Sequence, residues 1–389
     1  MGHRVGHFLS HYPGPGGMTT ALRGLCRGMA RLGWEAFVYC CPRKGTRVAK
    51  QEAEGVYIVP FPEPRWGGFA VDRRLLTRLS RNEDDIDVLL IHGIFSPPNV
   101  SVAKAARDSG IPYVVWLHNI YTRELLRKNR LRKILYGRLF ERRLLNGAVA
   151  IHVLAEQHAE YLMDYGVRVP AFVAPNGFDP EEVPEIYRDG APLGPRGGES
   201  LNFLFLGRLD MHVKGLDMLL QAVSSGVHDG RLPTNLRLDL VGADWGDQHT
   251  LETLAARLGV RDLVKFAGYA PPPERWDVIS SHDILVLPSR WEGVPLVVIE
   301  AMAVGKPVVI STETGASSLV TRAQCGYLVK PDPASICAGL VCAIETRDKW
   351  RGMGERGRAF AYRHLTWDTI AQRIVCSLEG VLSGAGSTA

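Results

Sequence analysis

Residues Asp283–Ala301 read DILVLPSRWEGVPLVVIEA. The segment DILVLP is nearly all apolar, as expected of a strand that is covered on both faces of its sheet. Gly293 permits a tight turn, and Pro295 suits the first position of a helix, where a missing N–H has no cost. The apolar run after it predicts a buried helix. The stretch therefore predicts a strand, a turn and a helix, the repeating unit of a parallel α/β sheet.

The same unit recurs along the chain. The runs VLLIH, YVVWLH and FLFLG, at 88–92, 113–118 and 203–207, are also apolar at successive positions. Amphipathic stretches between such runs, for example Gly17–Leu32 and Arg123–Leu145, predict helices. We expect strands near Arg4–Leu9, Glu35–Cys41, Val56–Phe61, Val88–His92, Tyr113–His118, Val149–Leu154, Ala171–Ala174, Asn202–Gly207, Arg237–Val241, Val264–Gly268, Asp283–Leu287, Pro307–Ser311 and Gly326–Val329. This alternation predicts an α/β fold with two doubly wound, Rossmann-like domains.

A stretch rich in Gly, Pro and charge, YRDGAPLGPRGGES at 187–200, separates the two series of strands. Its composition predicts a linker between domains. We therefore expect an N-terminal domain over 1–186 and a C-terminal domain over 201–365. Two such domains are expected to face each other across a cleft at the carboxyl ends of their strands, where this fold class binds ligands.

The composition is that of a globular protein. With 389 residues, 46% hydrophobic and 22% charged, the chain is neither disordered nor fibrous and is long enough for two domains. Its seven cysteines form no CxxC pair or Cys/His cluster, so neither a zinc site nor a disulfide framework is predicted. The N-terminal residues lack the apolar core of a signal peptide, and no run approaches the roughly 20 apolar residues of a membrane span. The expected location is the cytoplasm.

The turn after DILVLP is the strongest candidate site. The N–H groups of Val294, Leu296 and Val297 are expected to point out of the helix start, which makes an anion site. Glu292 lies just before this helix and Glu300 inside it. Alternatively, Glu292 is an ordinary charge at a helix N-terminus and Glu300 a solvated helical residue. The apolar neighbours of Glu300 favour a ligand hydroxyl as its partner.

A second candidate follows the strand FLFLG, where the chain reads GRLDMHVKGLD over Gly207–Asp217. Arg208 and Lys214 lie six residues apart, before the next predicted helix. Arginine offers a rigid fork for phosphate oxygens and lysine a mobile point charge. Exposed Arg and Lys are common, so an ordinary surface role is the alternative.

Two weaker candidates lie in the first half. The adjacent Gly16 and Gly17, in PGPGGM, let backbone approach a ligand closely, although a plain turn explains them equally well. The segment is neither a P-loop nor a GxGxxG fingerprint. His118 closes YVVWLH, where its side chain is expected to project toward a ligand, and a structural histidine is the alternative.

In this order and combination, the motifs resemble those of glycosyltransferase family 4, a retaining family with the GT-B fold. EGVPLVVIE matches the E-x7-E signature, GRLDMHVKGLD the Arg/Lys segment, PGGM the first glycine loop and WLHN the histidine position, and APNGFD resembles the interdomain turn. The resemblance covers residue 3 to about residue 370. The chain departs from the family pattern at Asn119, where the family often has Asp, so no role is carried over to that residue.

The resemblance implies roles for the donor-side residues. Arg208 and Lys214 would hold the donor diphosphate, and Glu300 would bind the ribose hydroxyls. Glu292 and the backbone of Gly293–Leu296, which includes Val294 and Pro295, would contact the transferred sugar and the phosphates. The C-terminal domain over 201–365 would therefore bind the nucleotide-sugar donor.

The resemblance also implies roles for the first domain, which would bind the acceptor. His118 would approach the reacting carbon of the sugar, and Gly16 and Gly17 would contact the donor. The segment Thr366–Leu382 resembles the last helix of this fold, which returns to the first domain, so we expect a helix over 366–384 that completes it.

The expected chemistry follows from charge. Breaking the bond to a nucleotide diphosphate places negative charge on the leaving phosphate, which two cations and a helix N-terminus can stabilise. These cations make a metal unnecessary and no DxD motif occurs, so no metal and no other cofactor is predicted. The expected donor is a UDP-, GDP- or ADP-linked sugar. We expect retention of configuration, with the leaving phosphate accepting the proton of the acceptor hydroxyl.

One segment is strongly basic. Between Arg123 and Arg143 there are nine basic and two acidic residues, a local net charge of +7, whereas the whole chain carries +5. The segment reads as a helix with Leu131, Leu135 and Leu139 on one stripe. That stripe either packs on the sheet or, with its cations, suits an anionic membrane surface or a lipid-diphosphate acceptor on the inner face of the membrane. Interleaved aromatic residues are lacking, so nucleic acid is not an expected partner.

The acceptor is not readable from these motifs. A pathway of cell-surface polysaccharide or glycolipid synthesis is the first hypothesis, and transfer to a natural product or another small molecule is the second. A phosphorylase or a sugar-nucleotide epimerase of the same fold remains an alternative, as does a non-catalytic glycan-binding protein on a transferase frame.

Overall fold

The computed structural model describes residues 3–14, 16–42, 48–62, 69–118, 121–122, 125, 130–188, 201–271 and 273–385. Tertiary contacts divide the chain into two compact units. The first unit is Met1–Gly177 together with Trp367–Ala389, and the second is Phe178–Thr366. Each unit is built on a sheet of its own.

Within its described residues, the first unit contains an eight-stranded sheet in the order β3-β4-β2-β1-β5-β6-β7-β8. The strands are β1 (Arg4–Leu9), β2 (Glu35–Cys40), β3 (Gln51–Ala53), β4 (Val56–Pro60), β5 (Val88–His92), β6 (Tyr113–Trp116), β7 (Ala150–Val153) and β8 (Ala171–Val173). β3 pairs antiparallel with β4, and the other neighbours are parallel. The strand order reverses at β1, which pairs with both β2 and β5, and such switch points are the usual ligand positions.

The described residues of the second unit contain a six-stranded, fully parallel sheet in the order β11-β10-β9-β12-β13-β14. The strands are β9 (Leu201–Leu206), β10 (Leu236–Val241), β11 (Val264–Gly268), β12 (Ile284–Leu287), β13 (Val308–Ser311) and β14 (Gly326–Val329). Here the order reverses at β9, which lies between β10 and β12. The loops after β9 and β12 therefore leave the same edge of the sheet side by side.

Helices connect the strands and cover the sheets. In the first unit the α-helices are Gly17–Arg31, Arg73–Ser80, Pro97–Asp108, Arg130–Tyr136, Arg142–Asn146, Gln157–Tyr165 and Trp367–Ala385, and Gly137–Glu141 is a π-helix. In the second unit the α-helices are Glu185–Arg188, Met211–Lys214, Leu216–His228, Gln248–Arg257, Arg275–Ser281, Leu296–Ala303, Ser317–Ala323, Pro333–Glu345 and Trp350–His364. No described helix combines the length and the apolar character that crossing a bilayer requires.

The first and last helices of the first unit pack closely together. Helix Gly17–Arg31 buries Leu22, Leu25 and Met29, whose three- and four-residue spacing forms one apolar face. A Cβ atom at Gly24 would lie 2.0 Å from Nε1 of Trp367, so only glycine allows the Trp367 ring to lie against this helix. The returning helix over 366–384 is thus present, as Trp367–Ala385, and belongs by its contacts to the first unit.

The α/β class with two doubly wound, mostly parallel sheets is confirmed, and every predicted strand is present. The largest difference is at β6, which ends at Trp116 and leaves His118 beyond the strand. The short strand β3 is not predicted by the sequence, because its residues QEA show no apolar pattern.

Two helix predictions are wrong. The single helix expected over Arg123–Leu145 is, in its described part, an α-helix interrupted by the π-helix Gly137–Glu141. Pro295 precedes its helix as the N-cap residue rather than standing first in it, because its ψ of 129° is extended.

The domain boundary at 187–200 stays a prediction. Residues 189–200 lie outside the described part of the chain. The contacts already group Phe178 and the residues after it with the second unit.

Candidate active site

The loop after β9 brings Lys214 to the edge of the second sheet. Asp210 caps the short helix Met211–Lys214 by accepting a backbone hydrogen bond in its first turn. The helix stops at Gly215, whose φ of 68° is left-handed. A Cβ atom there would lie 2.4 Å from the carbonyl oxygen of Pro288, so this loop packs directly against the end of β12.

Lys214 meets Glu292 of the next loop. Its ammonium contacts Oε1 of Glu292, and the hydroxyl of Ser289 donates to Oε2 at 2.9 Å. Lys214 and Ser289 are buried, whereas Glu292 is half-buried. The Arg/Lys segment and the E-x7-E segment, which the sequence suggests separately, therefore form one polar cluster. Sequence reasoning missed Ser289 as a member of it.

In this contact the carboxylate of Glu292 compensates the positive charge of Lys214. A buried ammonium is costly without a partner, and Glu292 provides one. An anionic ligand at this position would compete with Glu292 for the lysine. The cluster can therefore exchange an internal ion pair for a ligand phosphate, and the carboxylate is then released to accept hydrogen bonds from hydroxyl groups.

Arg208 is the more accessible cation of the pair. Its guanidinium carbon lies 5.1 Å from the ring centroid of Trp245, a cation–π contact, and its nearest carboxylate oxygen, on Asp210, is 4.0 Å away. Trp245 follows β10, and the backbone of that loop approaches closely: a Cβ atom at Gly242 would lie 1.7 Å from the carbonyl oxygen of Gly207. The glycine thus lets the loop that carries Trp245 lie beside Arg208. No sequence signal in the chain identified Trp245.

The turn between β12 and its helix is held by backbone hydrogen bonds. The amide of Gly315 donates to the carbonyl oxygens of Glu292 and Gly293, at 3.1 and 2.7 Å. Helix Leu296–Ala303 begins after Pro295 without a side-chain cap. In its first turn the N–H of Val298 donates to the carbonyl oxygen of Pro295 at 3.2 Å. The N–H groups of Leu296 and Val297 precede the first carbonyl of the helix that could accept from them, and their use as an anion site stays a prediction.

Glu300 is buried, but its partner is a protein side chain. Arg275 places a guanidinium nitrogen 3.2 Å from Oε1 of Glu300 and another 3.4 Å from Glu182. Burial raises the pKa of Glu300, and the positive charge of Arg275 opposes that rise. The solvated alternative is therefore wrong, and a ligand hydroxyl as a further partner of Glu300 stays a prediction. Arg275 was missed because it lies in a different helix.

A second arginine braces the loop after β12. Arg290 forms a bidentate pair with Asp217, with bonds of 2.8 and 2.7 Å, and also donates to the carbonyl oxygen of His212 at 2.8 Å. The ring of His212 in turn packs edge-on against Trp291. These contacts hold the loop after β9 and the loop after β12 together, so they fix the Lys214–Glu292 pair.

In the first unit, the glycine loop starts a helix as expected. Gly16 is the N-cap residue of helix Gly17–Arg31, with a φ of 110° that favours glycine. The amide of Gly14 donates to the hydroxyl of Thr19 at 3.1 Å. No side-chain hydrogen bond caps the helix, and a contact of this loop with the donor stays a prediction.

His118 lies just beyond β6 and is held by another histidine. Its Nε2 is 3.0 Å from Nδ1 of His92. Burial lowers the pKa of His118 from 6.5 to about 4, so the ring is neutral at pH 7. His118 can therefore act as a hydrogen-bonding group but not as a cation.

The described residues contain no group of three or more His, Cys, Asp or Glu side chains suited to a metal ion. Metal independence itself remains a prediction, which titration in the presence of a chelator tests.

The basic segment exposes its leucines. Leu131 is 83% exposed, Leu135 61% and Leu139 45%, so the stripe does not pack on the sheet. That alternative for the segment is wrong. Arg123, like most residues up to 129, lies outside the described part of the chain.

Known glycosyltransferases are similar to this chain in sequence and in fold. The family profile described as Glycosyl transferases group 1 matches residues 195–360, and that described as Glycosyltransferase Family 4 matches residues 15–182. The MMP alpha-(1->4)-mannosyltransferase of Mycolicibacterium hassiacum is 26% identical over 98% of this chain and 92% of its own. The phosphatidyl-myo-inositol mannosyltransferase of Mycobacterium tuberculosis is 30% identical over 62% of this chain and 61% of its own.

Solved structures show the same fold. Sucrose-phosphate synthase of Thermosynechococcus elongatus, 17% identical, covers 98% of this chain and 100% of its own with a TM-score of 0.76. HepE of Anabaena in complex with UDP and glucose, 20% identical, covers 97% of this chain and 100% of its own with a TM-score of 0.71. The chain therefore belongs to glycosyltransferase family 4, a retaining family, and it is a GT-B enzyme that transfers a sugar from a nucleotide-sugar donor.

Proposed function

We propose that the second unit binds the donor through the cluster of Lys214, Glu292 and Ser289, and that transfer proceeds with retention and without a metal. The observation that carries this proposal is the contact between Lys214 and Glu292, because it joins the two motifs of the donor side in one place. Arg208 and Lys214 bind the diphosphate, and the first turn of helix Leu296–Ala303 adds backbone N–H donors.

Glu300 binds the ribose hydroxyls in this proposal. Its pairing with Arg275 keeps the buried carboxyl oriented, and Arg275 also pairs with Glu182, so the arginine holds two carboxyl groups that can accept hydrogen bonds. Hydroxyl groups of a ribose are donors that such a carboxylate accepts. Burial raises the pKa of Glu300, and the positive charge of Arg275 opposes that rise and so favours the carboxylate form.

The reaction is a substitution at the anomeric carbon. The bond between that carbon and the diphosphate oxygen breaks, the acceptor oxygen forms a bond on the same face, and the acceptor proton passes to the leaving phosphate. Lys214 and Arg208 stabilise the charge that develops on the leaving group. Glu292, released from Lys214 by the bound phosphate, orients sugar hydroxyls and forms no covalent bond. His118, a neutral ring, is the candidate for a hydrogen bond to the transferred sugar.

The donor nucleotide is proposed to be UDP. Two structural neighbours are described as complexes with UDP and glucose or with UDP-2-fluoro glucose. GDP- and ADP-linked sugars are the alternatives, since the diphosphate contacts above do not distinguish bases.

The acceptor is proposed to be carried by a lipid, in glycolipid or cell-surface polysaccharide synthesis. The exposed leucines of the basic segment offer an apolar face beside cations, which suits an anionic membrane surface. One relative is named for phosphatidyl-myo-inositol, itself an anionic lipid. A small-molecule acceptor is the second candidate.

The stereochemical claim is tested by NMR of the sugar that the enzyme releases or transfers. UDP-glucose, GDP-mannose and ADP-glucose, all α-linked, are incubated with the enzyme in EDTA, and the anomeric proton of the first product is recorded. We expect an α-configured product from one of the donors. A β-configured product, or turnover only after magnesium is restored, would contradict the proposal.

A further inference from the structure

A row of histidines crosses the first sheet. His7 lies in β1, His92 ends β5 and His118 follows β6, and these three strands are neighbours. Nδ1 of His7 is 3.1 Å from Nε2 of His92, and Nδ1 of His92 is 3.0 Å from Nε2 of His118. Both nitrogens of His92 are therefore engaged, and the three rings form one hydrogen-bonded chain.

The row is neutral at pH 7. Burial lowers the pKa of His7 from 6.5 to about 3 and that of His118 to about 4, and it lowers the pKa of His92 well below 6.5. A neutral imidazole has one N–H donor and one bare acceptor nitrogen. Each contact in the row needs one of each, so the proton positions of the three rings are linked.

Two arrangements satisfy both contacts. In the first, His7 donates to His92 and His92 donates to His118, which leaves the proton of His118 on Nδ1. In the second, all donors are reversed, and His118 carries its proton on Nε2 while Nδ1 is a bare acceptor. The two arrangements differ at Nδ1 of His118, which is a hydrogen-bond donor in the first and an acceptor in the second.

The buried end of the row decides between them. Nε2 of His7 is buried and has no hydrogen-bond partner among the described residues. The first arrangement places a bare lone pair there, and the second places an N–H. Buried N–H groups without a partner are rarer in proteins than acceptors without one. The first arrangement is therefore favoured.

We propose that His7 and His92 are positioning residues for His118, holding its ring through Nε2 and keeping its proton on Nδ1. The inference rests on the proposed function in one respect: Nδ1–H is then the donor that a sugar oxygen meets. The sequence alone does not identify either residue. His7 and His92 lie on strands far from His118 in the sequence, so no local motif links them to it.

The test is the tautomer of His118 in the full chain labelled with 15N. Long-range 1H–15N correlation at pH 7 distinguishes protonated from bare ring nitrogens, and single-histidine variants assign the signals. We expect His118 with a protonated Nδ1 and a bare Nε2. In His92→Phe, where the donor to Nε2 is lost, we expect the proton of His118 to shift toward Nε2.

His152→Phe is the matched control. His152 is also buried, in the neighbouring β7, but it stacks on Trp116 and bonds the carbonyl oxygen of Ala174 instead of joining the row. His118 should keep the wild-type tautomer in this variant.

A wild-type His118 protonated at Nε2, or an unchanged His118 tautomer in His92→Phe, would overturn the inference. The wild-type spectrum decides the matter even where His92→Phe does not fold. Thermal shift with UDP, run in parallel, separates this test from the proposed function. Absent UDP binding with Nδ1 protonated would count against the UDP assignment alone, and UDP binding with Nε2 protonated would count against the positioning role alone.

Discussion

At the scale of single residues, the proposed donor site depends on charged side chains from separate parts of the chain. Lys214 is buried and paired with Glu292, and Ser289 completes the carboxylate's hydrogen bonds. Removing one member of a buried ion pair leaves the other charge uncompensated and costs about 3–5 kcal/mol when burial is complete. Glu292 is half-buried, so the cost here is smaller, and the pair can open when a phosphate replaces the carboxylate.

Trp245 supports Arg208, and its removal should weaken donor binding. A cation–π contact at an exposed site contributes about 0.5–1 kcal/mol, so Trp245→Ala should raise the Kd for the preferred nucleoside diphosphate about two- to fivefold. Tyr269→Ala is the control, because both rings are 62% exposed and Tyr269, unlike Trp245, forms no cation–π contact with Arg208 in the described part of the chain. Titration calorimetry gives the Kd of each variant. Equal effects of the two substitutions on the Kd would show that Trp245 does not contribute to the donor site.

The sequence predicts a candidate site residue where that residue stands in a recognisable motif. Lys214, Glu292 and Glu300 stand in segments whose order and spacing are recognisable. Arg275 and Trp245 stand in no such segment, since a side chain that arrives from another element leaves no local pattern.

At the scale of elements, apolar runs predict the strands well because a sheet covered on both faces demands them. The interruption of the basic helix at Gly137–Glu141 had no sequence signal. In the structure, a Cβ atom at Gly137 would lie 2.3 Å from the hydroxyl of Tyr165, a contact with a distant residue that no local pattern shows.

The packing of the two helices in the first unit makes Gly24 sensitive to any side chain. In Gly24→Ala the added Cβ would meet the Trp367 ring, so overpacking should lower the free energy of unfolding by about 1–3 kcal/mol. Gly380→Ala is the control, since a Cβ there meets no atom within 4 Å, and it should stabilise its helix by up to about 1 kcal/mol. Urea unfolding measures both, and a neutral Gly24→Ala would refute the close approach.

The exposed stripe predicts binding to anionic vesicles. Leu131→Glu combined with Leu135→Glu replaces the apolar contacts by negative charge, so co-sedimentation with vesicles of phosphatidylglycerol and phosphatidylcholine should be lost. Met163→Glu, at a residue 67% exposed in the same unit, should sediment as the wild type does. Wild-type protein that stays in the supernatant would contradict the membrane proposal.

At the scale of the whole molecule, buried histidines make stability depend on pH. Burial lowers the pKa of five histidines of the first unit, namely His7, His92, His118, His152 and His158. The unfolded chain binds protons at these sites near pH 6.5 and the folded chain only near pH 4 or below, so acidification favours unfolding. Glu141 and Glu300 act in the opposite sense, because burial raises the pKa of each carboxyl.

The free energy of unfolding should therefore fall from pH 7 to pH 5. Each histidine contributes at most about 2 kcal/mol to that fall. The first unit, which contains all five, should give the earlier transition in calorimetry at pH 5. Identical unfolding curves at pH 7 and pH 5 would show that these rings are protonated in the folded protein.

The assignment of Lys214 and Arg208 to a metal-free donor site is tested most directly by titration calorimetry with UDP, GDP and ADP in EDTA. We predict that one nucleotide binds the wild type and that Lys214→Ala weakens it about 10- to 100-fold, since a hydrogen bond to a charged group contributes about 1.5–3 kcal/mol. Lys265→Ala, at an exposed lysine of β11, should leave the Kd unchanged. Binding that requires magnesium, or equal affinities of Lys214→Ala and the wild type, would contradict the assignment.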